Sequence, residues 1–381
     1  MKKSLIALAV LAASGASFAQ SSVTISGTFD PAVANEKTTY GSGNSVTQTY
    51  VRSSNQATSN ITFKGTEDLG GGLKASFLLE NDFDPRFNAN GNPFNGTNGL
   101  GGGQQFLGLA GSLGGLKVGA ANTPTLIAQY MGNPFDTRTG GGFNVVNTAH
   151  VRNNNSVVYE SPVFNGFNVM AGYAFQTKSD PNAAGTYNIS TGAALNSAGT
   201  ALINPLALNS KNVGAIIDLA AFYNNGPLSA GVSLYSVAAT DASTAGAGAT
   251  GATAAAVGKN RETNVYASYD LGMVKVMGGY YTEKTDDATG ATPAIINSSA
   301  YNFGASVPLN ANLFLMANYA NKNDKTAANQ DKKVSAVGVR YNLSKNTSVY
   351  ARYVETITDN VTAATSVKKL QTTLFGMQTN F

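Results

Sequence analysis

The chain closes with TLFGMQTNF (Thr373–Phe381), a segment in which apolar and polar residues alternate. Phe375, Met377 and Phe381 fall on one side of this pattern, and small or polar residues fall on the other. A period of two predicts a strand with one apolar face. An aromatic residue at the strand end is typical of outer-membrane β-barrels, whose aromatic side chains lie at the membrane interface. Taken alone, the segment also fits an edge strand of a soluble sheet.

Residues 1–19 have the pattern of a secretory signal peptide. Two lysines precede an apolar run, Leu5–Ala13, and small residues occupy a cleavage site within Ser17–Ala19. The apolar run is too short to anchor the chain in a bilayer, which requires about 20 apolar residues. We therefore expect a mature chain that begins at Gln20 and forms one domain, residues 20–381.

The composition of the remaining chain excludes several functional classes. Without Lys2 and Lys3, 23 of the 25 basic residues remain against 21 acidic ones, and this balance of +2 does not indicate nucleic-acid binding. Cysteine is absent, so neither a disulfide framework nor a cysteine metal site is expected. Charged residues make up only 12% of a chain with 42 Gly, 17 Tyr and 18 Phe. Few charges, many aromatics and no long apolar run favour a large β structure.

Segments of period-two alternation recur about sixteen times, as in Leu73–Leu79 and Phe167–Phe175. The connectors alternate between short turns and longer stretches rich in Asn, Gly, Ala and Thr. Short periplasmic turns and long external loops are typical of an outer-membrane barrel, whereas a soluble sandwich does not require this alternation. We therefore predict an all-β fold, a 16-stranded antiparallel transmembrane β-barrel. The long stretches lie near 36–54, 84–102, 122–153, 179–211, 241–259, 285–297, 324–331 and 358–366.

Short motifs spread over the whole chain carry a resemblance. The most specific is FKGTEDLGGGLKA (Phe63–Ala75), and Arg152–Pro162, Asn225–Leu228 and Leu343–Lys345 add to it. Together with the terminal strand, they make the chain similar to the Gram-negative general-diffusion porins of the neisserial and burkholderial type. The resemblance implies a homotrimeric porin of the outer membrane whose third long loop, here about 122–153, folds back into the barrel and narrows it.

The resemblance also implies where charged residues line the pore. Charges on an inserted loop that face charged wall residues would set a field across a wet lumen. We expect the loop to contribute Asp136, Arg138, His150 and Arg152, and the wall to contribute Lys64, Lys74, Glu80, Asp82, Lys117, Glu160 and Arg352.

The predicted function is a water-filled channel for passive diffusion of small hydrophilic solutes and ions. We expect no enzymatic activity, because His150 is the only histidine and leaves little scope for a Ser-His-acid arrangement. The pairs Asp82/Asp84 and Asp286/Asp287 are more simply solvated residues than a calcium site, so no metal or cofactor is expected. A non-conducting outer-membrane barrel that acts in adhesion or structure through its external loops is the main alternative. A soluble secreted β protein is a third reading.

Departures from the porin pattern predict weak ion selectivity. Related porins often carry Arg where this chain has Asn60, Ala120, Val158 and Gln378, and acidic residues nearly balance the remaining basic ones. The resemblance further implies that Phe381 is an assembly signal. The expected partners are further copies of the chain in a homotrimer, outer-membrane lipid and lipopolysaccharide, the barrel-assembly machinery, and small hydrophilic solutes and inorganic ions, with no nucleic acid.

Overall fold

The structure, a computed structural model, describes residues 22–86, 102–141, 150–175, 215–238, 257–287 and 296–381. The predicted signal peptide, residues 1–19, lies outside the described residues and stays a prediction. Within the described ranges, no helix is long and apolar enough to cross a bilayer.

Strands and one short helix make up the regular structure of these ranges. Alternation and an enrichment in β-branched and aromatic residues favour the strands. The strands are β1 (Ser22–Phe29), β2 (Pro31–Tyr40), β3 (Ser45–Ser53), β4 (Asn60–Gly70), β5 (Leu73–Asp82), β6 (Gln105–Gly111), β7 (Gly114–Ala120), β8 (Ser156–Glu160), β9 (Phe167–Ala174), β10 (Ile216–Asn225), β11 (Leu228–Val237), β12 (Val257–Asp270), β13 (Lys275–Asp287), β14 (Ile296–Pro308), β15 (Leu313–Asp324), β16 (Lys332–Asn342), β17 (Thr347–Thr358) and β18 (Val367–Asn380), and the helix is α1 (Pro124–Tyr130).

A single antiparallel sheet contains these 18 strand segments. Two strands are each interrupted once, since β1 and β2 flank Asp30 and β3 and β4 flank residues 54–59. β1 pairs with β4, and β2 pairs with β3. The segments β1 and β2 therefore form one strand of the barrel together, and β3 and β4 form the neighbouring strand. Both β1 and β2 also pair with β18, so the sheet closes on itself. The predicted 16-stranded antiparallel barrel is thus confirmed, with 18 segments that reduce to 16 strands.

The last strand closes the barrel beside the N-terminal one. Phe381 exchanges two backbone hydrogen bonds with Gly27, with N–H···O distances of 3.0 and 3.1 Å. A Cβ atom added to Gly27 would lie 2.5 Å from the Phe381 ring, so the glycine leaves room for this aromatic side chain. The terminal aromatic residue therefore belongs to the ladder that closes the barrel.

Connectors at the two ends of the barrel differ in length, as the sequence predicts. Strands meet in short turns such as 71–72 and 226–227 at one end, and in longer connectors such as 121–155 at the other. One prediction is wrong: residues 36–54 are not a long loop but belong to β2 and β3, which are joined by a turn at 41–44. These two strands are rich in threonine, a β-branched residue that favours strands without producing an apolar alternation.

The register of the ladders separates two faces of the sheet. Exposed Phe63 pairs with Leu79 on one face, and Thr62 pairs with Glu80 on the other. The first face carries exposed large apolar side chains along the strands, with Phe375 at 65% exposure. We call the second face the polar face. In a barrel that spans a membrane the apolar face contacts lipid, which accounts for apolar side chains that a soluble sheet would bury.

Candidate functional site

Helix α1 starts the long connector between β7 and β8. Thr123 caps the helix, because its hydroxyl oxygen accepts a hydrogen bond from the backbone N–H of Leu126 at 3.0 Å. Pro124 occupies the first turn, where a missing N–H costs nothing. Leu126 and Ala128 are buried, and the helix contacts β9, β10, β11 and β12. The connector therefore begins against the barrel wall.

Two contacts bind this connector to the polar face of β10–β12. Thr125 of α1 donates from its hydroxyl to Asp218 Oδ1 at 2.6 Å and from its N–H to Asp218 Oδ2 at 3.2 Å. Near the far end of the connector, His150 Nε2 lies 2.6 Å from Glu262 Oε1, and the His150 ring stacks on Tyr235 with centroids 3.8 Å apart. Hydrogen bonds to ionised groups are stronger than neutral ones, above all where water is excluded. We call these five residues the anchor cluster.

The middle of the connector rests on β14 and β16. The side-chain amide of Asn302 donates to the carbonyl of Gly132 at 2.6 Å. Phe135 is only 2% exposed and packs where the wall offers a glycine. A Cβ atom added to Gly338 would lie 2.8 Å from the Phe135 ring, so the close approach depends on the missing side chain.

Arg352 lies on the polar face of β17 but is only 4% exposed. Its guanidinium donates to the carbonyls of Asn55 and Thr139, both at 2.7 Å, and stacks on Phe135 at 4.9 Å. Asn55 belongs to the interruption between β3 and β4, and Thr139 belongs to the long connector. Arg352, predicted as a pore-lining wall residue, therefore ties these two segments together in a buried position.

A cavity of about 780 Å³ lies between this connector and strands β2–β5. We call it the charged passage. Arg138 and Arg152 of the connector line it together with Glu80 and Asp82 of β5, so the structure brings together four residues that the sequence assigns to the pore. Asn60, a position at which the porin resemblance implies Arg, lines it as well. The other charged and aromatic side chains of its lining include Glu36, Tyr50, Arg52, Asp84, Arg86 and Tyr130.

Ion pairs balance the charges of the passage. Arg152 lies 3.2 Å from Asp82 and 3.8 Å from Glu80. Arg52 on β3 lies 3.3 Å from Glu36 on β2. Among the described residues of the lining, four arginines face four carboxylates, so their formal charges cancel.

The two other arginines of the passage sit in non-strand segments. Arg138 donates to the hydroxyl oxygen of Thr58. Arg86 lies 2.5 Å from Asp84 just beyond β5. Burial alone would raise the pKa of Asp84, but the hydrogen bonds and the charge of Arg86 outweigh burial and hold that pKa below its usual range. Asp84 therefore stays ionised at neutral pH.

The remaining residues assigned to the pore lie apart from the described lining of the passage. His150 belongs to the anchor cluster, and Asp136 is exposed elsewhere on the connector. Lys117 and Glu160 form an ion pair of 3.3 Å on β7 and β8. The two other wall lysines, both exposed on the polar face, are Lys64 of β4 and Lys74 of β5.

Sequence reasoning missed part of this lining. Glu36 of β2 and Tyr50 and Arg52 of β3 fall in the segment predicted as a loop. Only the recurrence of long polar side chains at every second position of β3 indicates the common face of Tyr50 and Arg52. The partner of His150 had no local signal at all, since Glu262 is 112 residues away in the chain.

A closed barrel with an apolar outer face and a charged internal cavity defines a channel-type barrel of a bacterial outer membrane. Residues 5–361 match the family model for Gram-negative porins, and the chain belongs to this family. It is 32% identical over 366 residues to outer membrane porin protein 32 of Delftia acidovorans, which covers 92% of this chain and 88% of that protein. The family assignment places the protein in the outer membrane as a multi-pass β-barrel.

Other relatives agree with this assignment. The major outer membrane protein P.IB of Neisseria meningitidis is 33% identical over 193 residues, which cover 49% of this chain and 54% of that protein. A solved anion-selective porin from Comamonas acidovorans superposes with a TM-score of 0.69 and 26% identity, covering 95% of this chain and all of that one (100%). The predicted family resemblance is thus confirmed.

Proposed function

We propose that the protein is a passive diffusion channel for small hydrophilic solutes and ions, and that the connector 121–155 narrows its lumen. A barrel of sixteen strands is too wide to be filled by wall side chains alone. The connector bonds to the polar face, which in a membrane barrel surrounds the lumen, through contacts with Asp218, Asn302 and Arg352. The charged passage is then the open route beside the connector.

Weak ion selectivity is the second part of this proposal. The single observation that carries it is the equal number of arginines and carboxylates in the described lining, four of each. Selectivity in a pore follows the net charge near its narrowest part, so cancelling charges give neither ion a large advantage. The related Comamonas structure is that of an anion-selective porin, so the ion selectivity of the two proteins can be compared directly.

Planar bilayer recording in a potassium chloride gradient tests both parts. We expect discrete conductance steps and a reversal potential near zero. A strongly anion-selective reversal potential would contradict weak selectivity while leaving the channel in place. If correctly folded protein gave no conductance, the adhesive or structural barrel would be the better reading.

We expect no enzymatic activity, since the single histidine, His150, is bound to Glu262.

We also propose that the protein assembles as a homotrimer, as the porin resemblance implies. Electrophoresis of unheated detergent-solubilised protein should show a high-mass species that collapses to the monomer on boiling. A monomer under mild detergent conditions, with conductance intact, would contradict this assembly without affecting the channel proposal.

We further propose that Phe381 is an assembly signal that the barrel-assembly machinery recognises. Phe381 closes the ladder on Gly27, so Phe381→Ala removes the aromatic ring while keeping the backbone hydrogen bonds. We expect less protein in the outer membrane and normal export across the inner membrane, measured by fractionation. Phe375→Ala, which changes a similarly exposed aromatic residue within β18, is the matched control. Equal outer-membrane levels for both variants and wild type would remove this role.

A further inference from the structure

The barrel wall has an excess of chain at one place, between the strand formed by β1 and β2 and the neighbouring strand formed by β3 and β4. Thr28 pairs with Asn60, and Pro31 pairs with Ser53. Residues 54–59 of the second strand therefore face only two residues of the first. A β-bulge usually accommodates a single extra residue, so the larger excess here must leave the plane of the sheet.

This extra segment lies on the lumen side of the wall. The backbone N–H of Thr139, in the long connector, donates to the carbonyl of Asn55 at 3.3 Å. The hydroxyl oxygen of Thr58 accepts a hydrogen bond from Arg138 of the same connector. Ala57 and Thr58 line the charged passage. The wall thus extends toward the connector at the point where the passage lies.

Asp30 binds the segment from the opposite strand, where it is 0% exposed. Its Oδ2 atom accepts hydrogen bonds from the backbone N–H groups of Gln56 at 2.6 Å and Ala57 at 2.8 Å. Its Oδ1 atom accepts one from the hydroxyl of Tyr350, and its own N–H donates to Ser59 Oγ at 3.0 Å. Hydrogen bonds to a carboxylate are strong where water is excluded, so this side chain fixes the backbone of the segment.

Strands β17 and β18 support the same arrangement. A Cβ atom added to Gly376 would overlap the Tyr350 ring, so the glycine lets this ring reach the carboxylate. The side-chain amide of Gln56 donates to Ser348 Oγ at 3.0 Å and to Gln378 Oε1 at 2.6 Å. Gln378 is a position at which the porin resemblance implies Arg. In this chain it holds the segment instead of adding a charge to the wall.

The segment begins with a strained residue. Ser54 has a φ of 58°, in the left-handed region that a serine rarely adopts. Its N–H donates to the carbonyl of Asp30 at 2.9 Å, and its hydroxyl oxygen accepts from the N–H of Ser59 at 3.0 Å. A strained backbone persists only where surrounding contacts determine it. The turn is therefore a fixed part of the wall.

We propose that residues 54–59 form a second constriction of the channel, built from the barrel wall, and that Asp30 is the positioning residue that holds it in the lumen. The segment carries no charged side chain and borders the charged passage with Ala57 and Thr58. It therefore limits the size of the solutes that pass, whereas ion selectivity depends on the arginines and carboxylates of the lining. This inference rests on the proposed channel function.

Liposome swelling with neutral sugars tests the size limit, because uncharged probes do not respond to the charges of the lining. Asp30→Ala removes the acceptor of the two backbone N–H groups of the segment. We expect the swelling rate with raffinose, relative to that with arabinose, to rise roughly two-fold, because pore width controls the passage of the larger sugar. Asp30→Asn keeps an oxygen for these N–H groups and an amide for the Tyr350 hydroxyl, so its ratio should stay near that of wild type.

A thiol reporter gives a second test, since the sequence contains no cysteine. Ala57→Cys places a thiol on the segment, and the control Ala317→Cys places one on the apolar face of β15, beside exposed Leu315. The reagent is a charged, membrane-impermeant methanethiosulfonate added to both sides of a planar bilayer. It should lower the single-channel conductance of Ala57→Cys by roughly a third, because the adduct narrows the passage, and should leave that of Ala317→Cys unchanged.

The outcomes separate this inference from the channel proposal. Folded wild-type protein without conductance would contradict the channel, and the second constriction with it. Normal conductance with an unchanged sugar ratio for Asp30→Ala would overturn only the second constriction. If Asp30→Ala failed to fold, as judged by heat-modifiable electrophoretic mobility, Ala57→Cys would decide. A modified thiol with unchanged conductance, or a thiol that the reagent cannot reach in folded protein, would also overturn the second constriction.

Discussion

The two sides of the connector 121–155 hold charged residues in opposite environments. Toward β10–β12, Asp218 is 0% exposed and Glu262 is 2% exposed, and both bind the connector directly. Toward β2–β5, the side chains of Arg52 and Arg152 are 31% and 22% exposed and border an open cavity. The anchor cluster and the charged passage thus use similar residue types under different solvation.

This difference separates two tasks. Breaking a buried hydrogen-bonded charge leaves its partner without compensation, so such a group fixes the position of the segment it holds. Charges beside water are screened and individually contribute little to stability, but their field acts on ions that pass between them. We therefore expect changes in the anchor cluster to alter how firmly the connector is held, and changes in the charged passage to alter selectivity.

Removing the middle of the connector, residues 132–141, should have the largest effect on conductance. Excision of residues 132–141 deletes the part of the connector that binds Asn302 and packs Phe135 against the wall. We expect single-channel conductance to rise roughly two-fold or more, because the lumen of a sixteen-stranded barrel is otherwise wide. A deletion of equal length within residues 245–256, in another connector, is the control. Unchanged conductance in a folded variant would mean that the connector does not narrow the lumen.

Loss of a single anchor should have the next largest effect. Asp218→Ala leaves the hydroxyl and the N–H of Thr125 without their acceptor in a buried place, which costs about 2–3 kcal/mol. We expect noisier open-channel current and easier unfolding by urea in detergent, with little change of the reversal potential. Asp218→Asn keeps one acceptor oxygen and should fall between Ala and wild type. If the open-channel current of Asp218→Ala were no noisier than that of wild type, Asp218 would not hold the connector.

The sequence predicted the strands because alternation is a local property of the chain. Thr373–Asn380 and Leu73–Leu79 lie in β18 and β5 as expected. Alternation also located the polar-face side chains of β5, including Glu80 and Asp82. It failed for β2 and β3, where threonine hides the pattern, so the sequence did not predict that Arg52 lies on the wall.

The anchor cluster was beyond sequence reasoning for a different reason. The path of a connector is set by contacts with distant strands, and His150 finds Glu262 only once β7, β8 and β12 are in place. Burial is equally non-local. Alternation predicts that Arg352 lies on the polar face of its strand, but only the packing of Phe135 and Asn55 over it removes the guanidinium from water.

A change of charge in the passage should act on selectivity and leave the fold intact. Arg138→Gln/Arg152→Gln removes two of the four described arginines of the lining and leaves it with a net negative charge. We expect the permeability ratio to shift toward cations on the order of two-fold, measured from reversal potentials. The opposite pair, Glu80→Gln/Asp82→Asn, should shift it toward anions by a similar factor. Shifts of the same sign for both pairs would show that structural disturbance, not charge, controls the result.

The smallest effect is expected at Lys117 and Glu160, the ion pair on β7 and β8. The two side chains are 3.3 Å apart and 30% and 44% exposed, so water competes for both charges. A double-mutant cycle with Lys117→Gln and Glu160→Gln should give a coupling free energy below about 0.5 kcal/mol in urea unfolding. The single variants should move the reversal potential slightly in opposite directions, and the double variant should return it to the wild-type value. A coupling above about 1 kcal/mol would place this pair with the buried anchors, and wall charges outside the charged passage would then hold structure instead of acting on ions.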